Sequence, residues 1–326
     1  MTVRLIHLGV GGRGRWPLAR VREHPGLSSV ALVDTDPRAL DAAREATGLP
    51  GSACFASLDE ALGAVEADAV VVITPPDLHV AHCLQAIRAG KHVLVEKPLA
   101  LGLADARQVV AEADARGVTV TVCQNARYAP AHATIARLVR EGVHGRPVFG
   151  AIARYGLRPE VRHSGAMRHA YLWERGIHDL DSARALFVAA PVRVWAHSFN
   201  PPWSPYAHGA GVHAFVEFEG GATCGYVCTF TAHKPGASLR LELEGGALEL
   251  RGDEIFLHRP GAAADERLPL DTVPAAEAVL LDGFHRHVTE GIEPDFGGRA
   301  NLLTVAMVEA AVRASDEGRA VALASL

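Results

Sequence analysis

Short apolar runs alternate with amphipathic segments over the first 123 residues of the chain. The runs are six or seven residues long, rich in Val and bounded by Gly, Pro or Asp, which is typical of strands buried on both faces of a sheet. They occupy residues 3–9, 29–34, 68–74, 91–96 and 118–123. Between them, residues 36–48 and 77–90 show helical spacing, begin at an Asp beside a proline and end at a Gly. The alternation predicts a doubly wound α/β domain with a parallel sheet at residues 1–123.

The pattern changes after residue 124. A predicted helix at 130–141 leads into a long strand at 146–156, and residues 158–176 form an irregular stretch rich in His and Arg. From 192 to 258, strand-like runs are separated by short Gly-rich turns, which indicates an antiparallel sheet. The remaining predicted segments are helices at 177–189, 276–290 and 299–317 and a loop at 260–274. The sequence therefore predicts a second domain at 124–326, whose last helices are candidates for packing back on the first.

Composition and charge narrow the classes of partner. With 326 residues, of which 49% are hydrophobic, the chain is long enough for two cores. Lys and Arg number 32 against 37 Asp and Glu, so the chain lacks the basic excess that nucleic acids and anionic membranes require. No apolar run approaches the roughly 18 residues of a membrane helix, and the N-terminus MTVRLIHLGVGG lacks the features of a secretory signal. The sequence predicts a cytoplasmic protein that binds a small molecule and neither nucleic acid nor membrane.

The five cysteines, an odd number, lie in apolar stretches, as expected of reduced core thiols in a cytosolic protein. Cys224 and Cys228 lie in the run ATCGYVCTFTAH (222–233) and are predicted to share one face of a strand rather than to bind a metal. The turn residues between this run and ASLRLELEGG (237–246) predict a strand break there. Two pairs of histidines lack a completing ligand set, so no metal site is predicted: His79 with His82, and His285 with His287.

The segment HLGVGGRG places glycines directly after the first predicted strand and before a predicted helix. The spacing Gly9-x-Gly11-x-x-Gly14 lets backbone N–H groups approach a pyrophosphate at a helix N-terminus. Asp34 ends the second predicted strand about 20 residues later, where a carboxylate can bind a ribose 2′-hydroxyl. An ordinary tight turn is the alternative for the glycines, but the combination predicts a dinucleotide site.

Asp34 also bears on the choice of cofactor, because a carboxylate at this position repels a 2′-phosphate. NAD is therefore predicted rather than NADP, although Arg13, Arg15 and Arg38 could offset the repulsion. Asp36 is interpreted differently, since Asp-Pro before a helical run is a capping signal.

Lys97 directly follows the apolar run KHVLVE and precedes Pro98. In a doubly wound sheet, ligands bind beyond the carboxyl ends of the strands, so the Lys97 ammonium is expected to face the cofactor crevice. A surface lysine is the alternative. Pro98 favours the functional interpretation, because it delays the next helix and restricts the backbone of Lys97. A fixed cation beside a nicotinamide can stabilise a developing alkoxide.

Nearly the whole chain resembles the glucose–fructose oxidoreductase and inositol dehydrogenase family (Gfo/Idh/MocA), through the segments GVGGRG, VVVITPPDLHVAHCLQAIRAGKHVLVEKPLA, GIHDLDSARALF and DGFHRHVTEGIEP. The resemblance implies a Rossmann domain, a C-terminal α+β domain with an open, mainly antiparallel sheet, and homodimers or homotetramers formed through the sheet face. It also implies a catalytic or substrate-binding Lys97, often preceding a cis proline.

Other residues acquire roles from the same resemblance. Thr74, Pro75 and His79 match the nicotinamide-side loop of the family, and Glu96 with Lys97 matches the pair that lines the cofactor pocket. The predicted cofactor-binding residues are Gly9, Gly11, Gly12, Arg13, Gly14, Asp34, Thr74, Pro75, His79, Glu96 and Lys97.

The segment WERGIHDLD places Glu174 and His178 four residues apart, which brings a carboxylate and an imidazole to one face of a helix. Histidine can take a proton near neutral pH, and the carboxylate can orient it. His178 matches the family's histidine, while Glu174 stands where the family has an aspartate. The family's usual glycine run upstream is replaced by RHAYLW, which affects the substrate prediction more than the reaction type.

Residues next to these motifs are candidates for substrate contacts. Arg127 and Tyr128 follow the last predicted strand of the first domain, and the irregular stretch carries polar and aromatic side chains that could line a sugar pocket. Those side chains are His163, Arg168, His169, Tyr171 and Trp173, each of which alone is more simply a bystander. The predicted substrate-binding residues are Arg127, Tyr128, His169 and Trp173. Trp195 and Trp203 are interpreted as packing residues.

Together these features predict an NAD-dependent oxidoreductase that transfers a hydride between a secondary alcohol of a sugar, cyclitol or polyol and nicotinamide. His178 would take the hydroxyl proton, Lys97 would stabilise the oxyanion and Glu174 would orient the imidazole. Two alternatives keep the fold: a glycosidase that retains its NAD and oxidises the sugar transiently, and a catalytically silent NAD-sensing regulator.

Overall fold

The computed structural model describes residues 1–158, 160–161 and 167–326 of the chain. These residues divide into two compact units: unit 1 is Met1–Asn125 with Pro274–Val305, and unit 2 is Ala126–Val273 with Ala306–Leu326. The strands are β1 (Val3–Leu8), β2 (Leu27–Val33), β3 (Cys54–Phe55), β4 (Ala69–Val72), β5 (His92–Val95), β6 (Val120–Val122), β7 (Pro147–Leu157), β8 (Pro191–Phe199), β9 (Gly211–Phe218), β10 (Thr223–Thr229), β11 (Thr231–Leu243), β12 (Gly246–Arg251), β13 (Glu254–His258), β14 (Glu266–Leu268) and β15 (Val321–Ala322). The α-helices are α1 (Arg15–Glu23), α2 (Pro37–Thr47), α3 (Leu58–Ala64), α4 (His79–Arg88), α5 (Leu103–Arg116), α6 (Pro130–Glu141), α7 (Ile177–Phe187), α8 (Ala276–Glu290) and α9 (Gly298–Glu317).

The sheet of unit 1 has six strands in the order β3-β2-β1-β4-β5-β6, and all paired neighbours are parallel. This is the strand order of a doubly wound, dinucleotide-binding fold. The central strand β4 is a run of Ala and Val that is buried at every position, because helices cover both faces of such a sheet. The predicted parallel sheet is confirmed.

Helix α2 shows how local side chains set the element boundaries of unit 1. Asp36 Oδ1 accepts a hydrogen bond from the backbone N–H of Arg38 (2.9 Å) and caps the helix, as predicted. Gly48 ends it in the left-handed region, with φ at 74°. Strand β3 was not among the predicted strands, because two residues are too few to show a periodic pattern.

The segment 274–305 completes unit 1. The side chain of Thr121 in β6 lies 3.0 Å from the ring of His287 (Oγ1 to Nδ1), and the backbone of Thr121 pairs with Gly297. Beside α1, His24 Nε2 lies 3.0 Å from Asp282 Oδ1 of α8. These contacts hold α8 to the unit and cover the sheet edge formed by β6.

Unit 2 contains a nine-stranded sheet in the order β14-β13-β12-β11-β7-β10-β9-β8-β15. Neighbouring strands are antiparallel except β7 and β10, which are parallel, so the predicted mainly antiparallel sheet is confirmed. Along β9, Val212, Ala214 and Val216 are buried while Phe215 is exposed, because only one face of the sheet packs on the core. Side chains of α6, α7 and α9 contribute to that core.

Two predictions about unit 2 were wrong in detail, and one short strand was not predicted. The strand break falls at Phe230, between β10 and β11, and not before Ala237. Lys234 and Pro235 shift the register of β11 against β7 without ending the strand. The predicted loop at 260–274 contains β14, and β15 follows α9, because strands this short leave no periodic signal. The described helices include none with the length and hydropathy that a membrane span requires.

Candidate active site

Four adjacent strands of unit 1, β2, β1, β4 and β5, end at the same edge of the parallel sheet. Predicted cofactor residues follow each of these ends: Asp34 after β2, the glycine loop after β1, Thr74 and Pro75 after β4, and Glu96 with Lys97 after β5. The carboxyl edge is where doubly wound sheets bind their ligands. The sequence motifs thus come together at one edge of unit 1.

The glycine loop packs too closely for side chains at two of its positions. A Cβ atom on Gly9 would lie 2.3 Å from the carbonyl oxygen of Ile73, and one on Gly14 would lie 1.9 Å from the carbonyl oxygen of Gly9. Gly9 also has a φ of 84°, in the left-handed region. The loop then forms a short helical turn at Gly12–Gly14 that runs directly into α1. This cradle fits a pyrophosphate at a helix N-terminus.

Asp34 braces the glycine loop through its carboxylate. Asp34 Oδ2 accepts hydrogen bonds from the backbone N–H groups of Val10 (2.8 Å) and Gly11 (3.2 Å). Asp34 Oδ1 accepts one from the N–H of Asp36 (3.0 Å). The carboxylate is therefore fixed at the end of β2, where a dinucleotide's adenosine ribose lies in this fold.

Glu96 connects the glycine loop to Lys97. Its buried carboxylate accepts hydrogen bonds from the Arg13 guanidinium (Nη2 2.8 Å, Nε 3.2 Å) and the Trp16 indole (3.4 Å) through Oε1. Through Oε2 it accepts one from the backbone N–H of Lys97 (2.9 Å). Burial opposes the charge of Arg13, but the adjacent Glu96 carboxylate more than offsets this, so the pKa of Arg13 is raised.

His79 lies between two backbone segments at the same edge. Its Nε2 is 2.8 Å from the carbonyl oxygen of Thr74, and its Nδ1 is 2.7 Å from that of Pro98. The Lys97–Pro98 peptide bond is cis. Burial lowers the pKa of His79, while the two carbonyl contacts favour the imidazolium, because only that form has two N–H donors. His79 is almost fully buried, and its two ring nitrogens both contact these carbonyl groups.

In unit 2, His178 lies in the first turn of α7 and is buried. The residues before it form a π-helical turn, Leu172–Gly176, in the stretch that the sequence analysis expected to be irregular. Such turns are rare and occur often at functional sites. Glu174, within this turn, forms an ion pair with Arg158, whose guanidinium lies 4.0 Å from the centre of the Phe230 ring.

Asp179 is a buried anchor for the π-helical turn. Its Oδ2 accepts hydrogen bonds from the hydroxyls of Tyr226 (2.8 Å) and Tyr171 (3.3 Å). Its Oδ1 accepts from Arg175 (Nε 3.1 Å, Nη2 2.9 Å). Burial and the Asp179 carboxylate both raise the pKa of Tyr226, so the Tyr226 hydroxyl stays protonated and donates the hydrogen bond to Asp179. The turn that carries Glu174 is thus fixed at both ends.

Arg127 is held in a buried ion pair. Arg127 Nε donates to Asp181 Oδ2 (2.6 Å), and Nη2 donates to Oδ1 of the same carboxylate, with side chains only 6% and 1% exposed. Arg184 Nη2 lies 3.3 Å from Asp181 Oδ1. Asp181 lies three residues after His178 on α7, so this pair fastens the segment Ala126–Tyr128 to the helix that carries His178.

Comparison with known proteins identifies both parts of the chain. The model described as "Oxidoreductase family, NAD-binding Rossmann fold" of GFO_IDH_MocA matches residues 3–124, and the GFO/IDH/MocA C-terminal domain model matches residues 132–249. The chain belongs to the Gfo/Idh/MocA family. It is thus an oxidoreductase of the NAD(P)-dependent dehydrogenase and reductase class, and residues 3–124 are its NAD-binding Rossmann region.

Two relatives of this Gfo/Idh/MocA protein are similar over most of their length. It is 30% identical over 279 residues to 1,5-anhydro-D-fructose reductase of Ensifer adhaerens, covering 81% of this chain and 82% of the relative. It is 30% identical over 339 residues to D-apiose dehydrogenase of Paraburkholderia graminis, covering 98% and 89%. An oxidoreductase of Agrobacterium radiobacter, solved with NAD+, L-tartaric acid and magnesium, shares the fold at a TM-score of 0.89 and 18% identity, covering 100% and 99%.

The predicted substrate residues of this Gfo/Idh/MocA chain lie in different surroundings. Trp173 is part of the hydrophobic core of unit 2, and His169 is buried with its Nε2 3.2 Å from Asp316 Oδ1. Tyr128 is half-buried in the segment fastened to α7, and Arg127 is engaged with Asp181. His163 lies outside the described residues. Of the four predicted substrate residues, only Tyr128 is partly accessible.

Sequence reasoning missed the partners of its own candidates. Arg158 and Asp181 were not singled out, although Asp181 lies one helical turn after His178, a spacing that could have indicated it. The π-helical turn has no such sequence signal. Among the residues that the structure describes, no three His, Cys, Asp or Glu side chains are grouped to hold a metal ion.

Proposed function

We propose that this Gfo/Idh/MocA protein is a dehydrogenase or reductase acting on a secondary alcohol, or the corresponding ketone, of a sugar, cyclitol or polyol. One observation carries the proposal. Lys97 follows β5 at the carboxyl edge of a dinucleotide-binding sheet, between a carboxylate that binds its backbone N–H and a proline whose carbonyl contacts His79. The two relatives quoted above are named as a sugar reductase and a sugar dehydrogenase, which supports the substrate class.

The proposed roles follow from charge and position. The bound dinucleotide supplies the site that accepts or donates hydride. The Lys97 ammonium stabilises negative charge on the substrate oxygen, and His178 removes or returns the hydroxyl proton. Glu174 orients the His178 imidazole, while Arg158 holds the Glu174 carboxylate in place. The Asp179 and Asp181 contacts position the helix that carries His178.

NAD is the proposed cofactor in preference to NADP. Asp34 is fixed at the end of β2, where its carboxylate would repel a 2′-phosphate. Of the three arginines that could offset this repulsion, Arg13 is engaged with Glu96, which leaves the exposed Arg15 and Arg38. We expect kcat/KM to be higher with NAD than with NADP on the same substrate.

The proposal also covers organisation and assembly. Residues 1–123 would bind the dinucleotide and 124–326 would bind the substrate. A homodimer or homotetramer would form through the uncovered sheet face of unit 2, which exposes Phe149, Trp195 and Phe215. Light scattering on the purified protein measures the oligomer directly. A cytoplasmic location remains a prediction from the sequence.

A substrate screen with the Lys97→Ala variant tests the chemistry. Inositols, aldoses and amino sugars are offered with NAD and with NADP, and absorbance at the nicotinamide band reports turnover. Removing one oxyanion-stabilising group is expected to lower kcat about 10²–10³-fold while NAD binding changes little. Full turnover by Lys97→Ala would refute the assignment. Release of phenol from aryl glycosides without added cofactor would instead indicate the glycosidase alternative.

A further inference from the structure

A tight turn in unit 2 presents an exposed tryptophan. Ser204 N–H donates to the carbonyl oxygen of Pro201 (2.9 Å), which closes the turn around Trp203. Asn200 Nδ2 donates to the carbonyl oxygen of Tyr206 (2.9 Å), joining the two ends of the same loop. Trp203 is nevertheless 58% exposed. A large apolar side chain is therefore held at the surface by a braced backbone.

The plane of the Trp203 ring is also fixed. Its indole Nε1–H donates to the carbonyl oxygen of Thr231 (2.8 Å). The ring stacks on the imidazole of His233, with centroids 4.7 Å apart and an interplanar angle of 29°. Exposing an indole forgoes the free energy that its burial would provide, and fixing it costs side-chain entropy. A rigid exposed aromatic ring is suited to binding, because little freedom remains to be lost when a ligand arrives.

The Trp203 indole and the ion-pair partner of Glu174 bind neighbouring residues of the chain. Trp203 is bonded to Thr231, and Arg158 N–H donates to the carbonyl oxygen of the preceding residue, Phe230 (2.8 Å). The Arg158 guanidinium lies over the Phe230 ring and pairs with Glu174. The indole and Arg158 are thus bound to two consecutive residues, Thr231 at the start of β11 and Phe230 directly before it.

The surroundings of Trp203 differ from those of the exposed aromatic residues on the sheet. Trp195 pairs with Phe215 across β8 and β9, so both belong to a broad apolar face. The contacts that fix the Trp203 ring are a carbonyl oxygen and an imidazole. An aromatic face framed by polar groups matches a ligand that has both hydroxyls and an apolar C–H face.

We propose that Trp203 is a stacking platform for the sugar or cyclitol ring of the substrate, with His233 as its support. The C–H groups on one face of a pyranose or inositol ring carry partial positive charge, and the indole face is negative. The hydroxyls at the ring edge would remain available to polar groups near Glu174. This inference rests on the proposed function, because it assumes a substrate of that class.

The test uses the full-length protein with NAD and the best substrate of the screen. Trp203→Ala is expected to raise KM about tenfold with kcat within about twofold, because stacking that is equal in ground and transition states affects binding alone. Trp203→Tyr should restore most of the affinity, since it keeps an aromatic face. Ile292→Ala, which truncates an exposed apolar side chain of unit 1, is the control and should leave KM for the sugar unchanged. The KM for NAD should be unchanged in every variant. Calorimetric titration of wild type and Trp203→Ala with myo-inositol and D-glucose, in the presence of NAD, measures binding without turnover.

The outcomes separate this inference from the proposed function. Unchanged KM and affinity in Trp203→Ala, with turnover intact, would overturn the platform and leave the dehydrogenase standing. Sugar binding that weakens in Trp203→Ala, in a protein that turns over none of the panel, would support the platform and count against the dehydrogenase. If wild type neither binds nor turns over these ligands, the platform is overturned. It is also overturned if Trp203→Ala changes the oligomeric state in light scattering, because the indole would then belong to an interface between copies.

Discussion

Breaking the Arg127–Asp181 pair should destabilise unit 2 by more than a surface ion pair could. Both side chains are buried, and removing one partner of a buried pair costs about 3–5 kcal/mol, since the other charge loses its compensation. For Arg127→Met we expect about 3 kcal/mol, the lower end of that range, because Arg184 remains 3.3 Å from the Asp181 carboxylate. For Asp181→Leu we expect about 4–5 kcal/mol, because two guanidinium groups then lose the same carboxylate.

Urea unfolding followed by tryptophan fluorescence measures these differences, since Trp173 is buried in the same unit. The double variant Arg127→Met/Asp181→Leu should be more stable than Asp181→Leu alone, because replacing both members of a buried pair by apolar side chains is often close to neutral. The part of the loss that comes from the contact of Arg184 with Asp181 should remain. Arg137→Met is the matched control: Arg137 pairs with Asp271 at 2.7 Å, but both are partly exposed, and the cost should stay below about 1 kcal/mol. Single variants that each lose no more than this control would refute the reasoning.

Three further predictions address unit 1. Gly14→Ala should weaken NAD binding at least about tenfold in calorimetry, because the new Cβ collides with the backbone of Gly9. Gly63→Ala is the control and should bind NAD normally, because its Cβ would lie in open space. Equal NAD binding by the two variants would contradict the proposed pyrophosphate cradle. His79→Phe should lower kcat/KM about tenfold in the wild-type background but only slightly in a Lys97→Ala background, because His79 contacts the residue next to Lys97. If the two substitutions lowered kcat/KM independently, the proposed link between these residues would be wrong. Burial lowers the pKa of His7 to about 4, so the free energy of unfolding should fall between pH 6.5 and 4 as the unfolded chain takes up the proton. His7→Gln should lose that part of the pH dependence, about 3 kcal/mol. A wild-type urea midpoint that does not change with pH would contradict this.

The parallel sheet of unit 1 could be predicted because its signals are local and redundant. Each strand is an unbroken aliphatic run, and the helices between them carry caps such as Asp36 and Gly48. The glycine loop could be predicted for a related reason. Only glycine fits at positions 9 and 14, because a Cβ atom at either would collide with neighbouring backbone atoms.

The details of unit 2 were less predictable because they depend on contacts distant in sequence. Pro235 suggested a strand end, but strand pairing on both sides of it carries β11 through the interruption. The π-helical turn at Leu172–Gly176 is held by hydrogen bonds from Tyr171, Tyr226 and Arg175 to Asp179, of which Tyr226 lies on a different strand. A pattern of apolar spacing contains no trace of such a partner.

The candidate site shows the same division. Lys97 and His178 can be recognised from short sequence segments. The contacts of the neighbouring side chains Glu96, His79 and Asp181 become apparent only in the structure. Trp203 is the opposite case: sequence suggested packing, and only its exposure and fixed ring indicate another use.

The contact between Arg13 and Glu96 has a consequence for engineering cofactor choice. Redirecting Arg13 toward a phosphate would leave a buried carboxylate without its principal counter-charge, one peptide bond from Lys97. If the proposed preference for NAD holds, a variant redesigned to bind the 2′-phosphate through Arg13 should therefore lose turnover as well as change its selectivity.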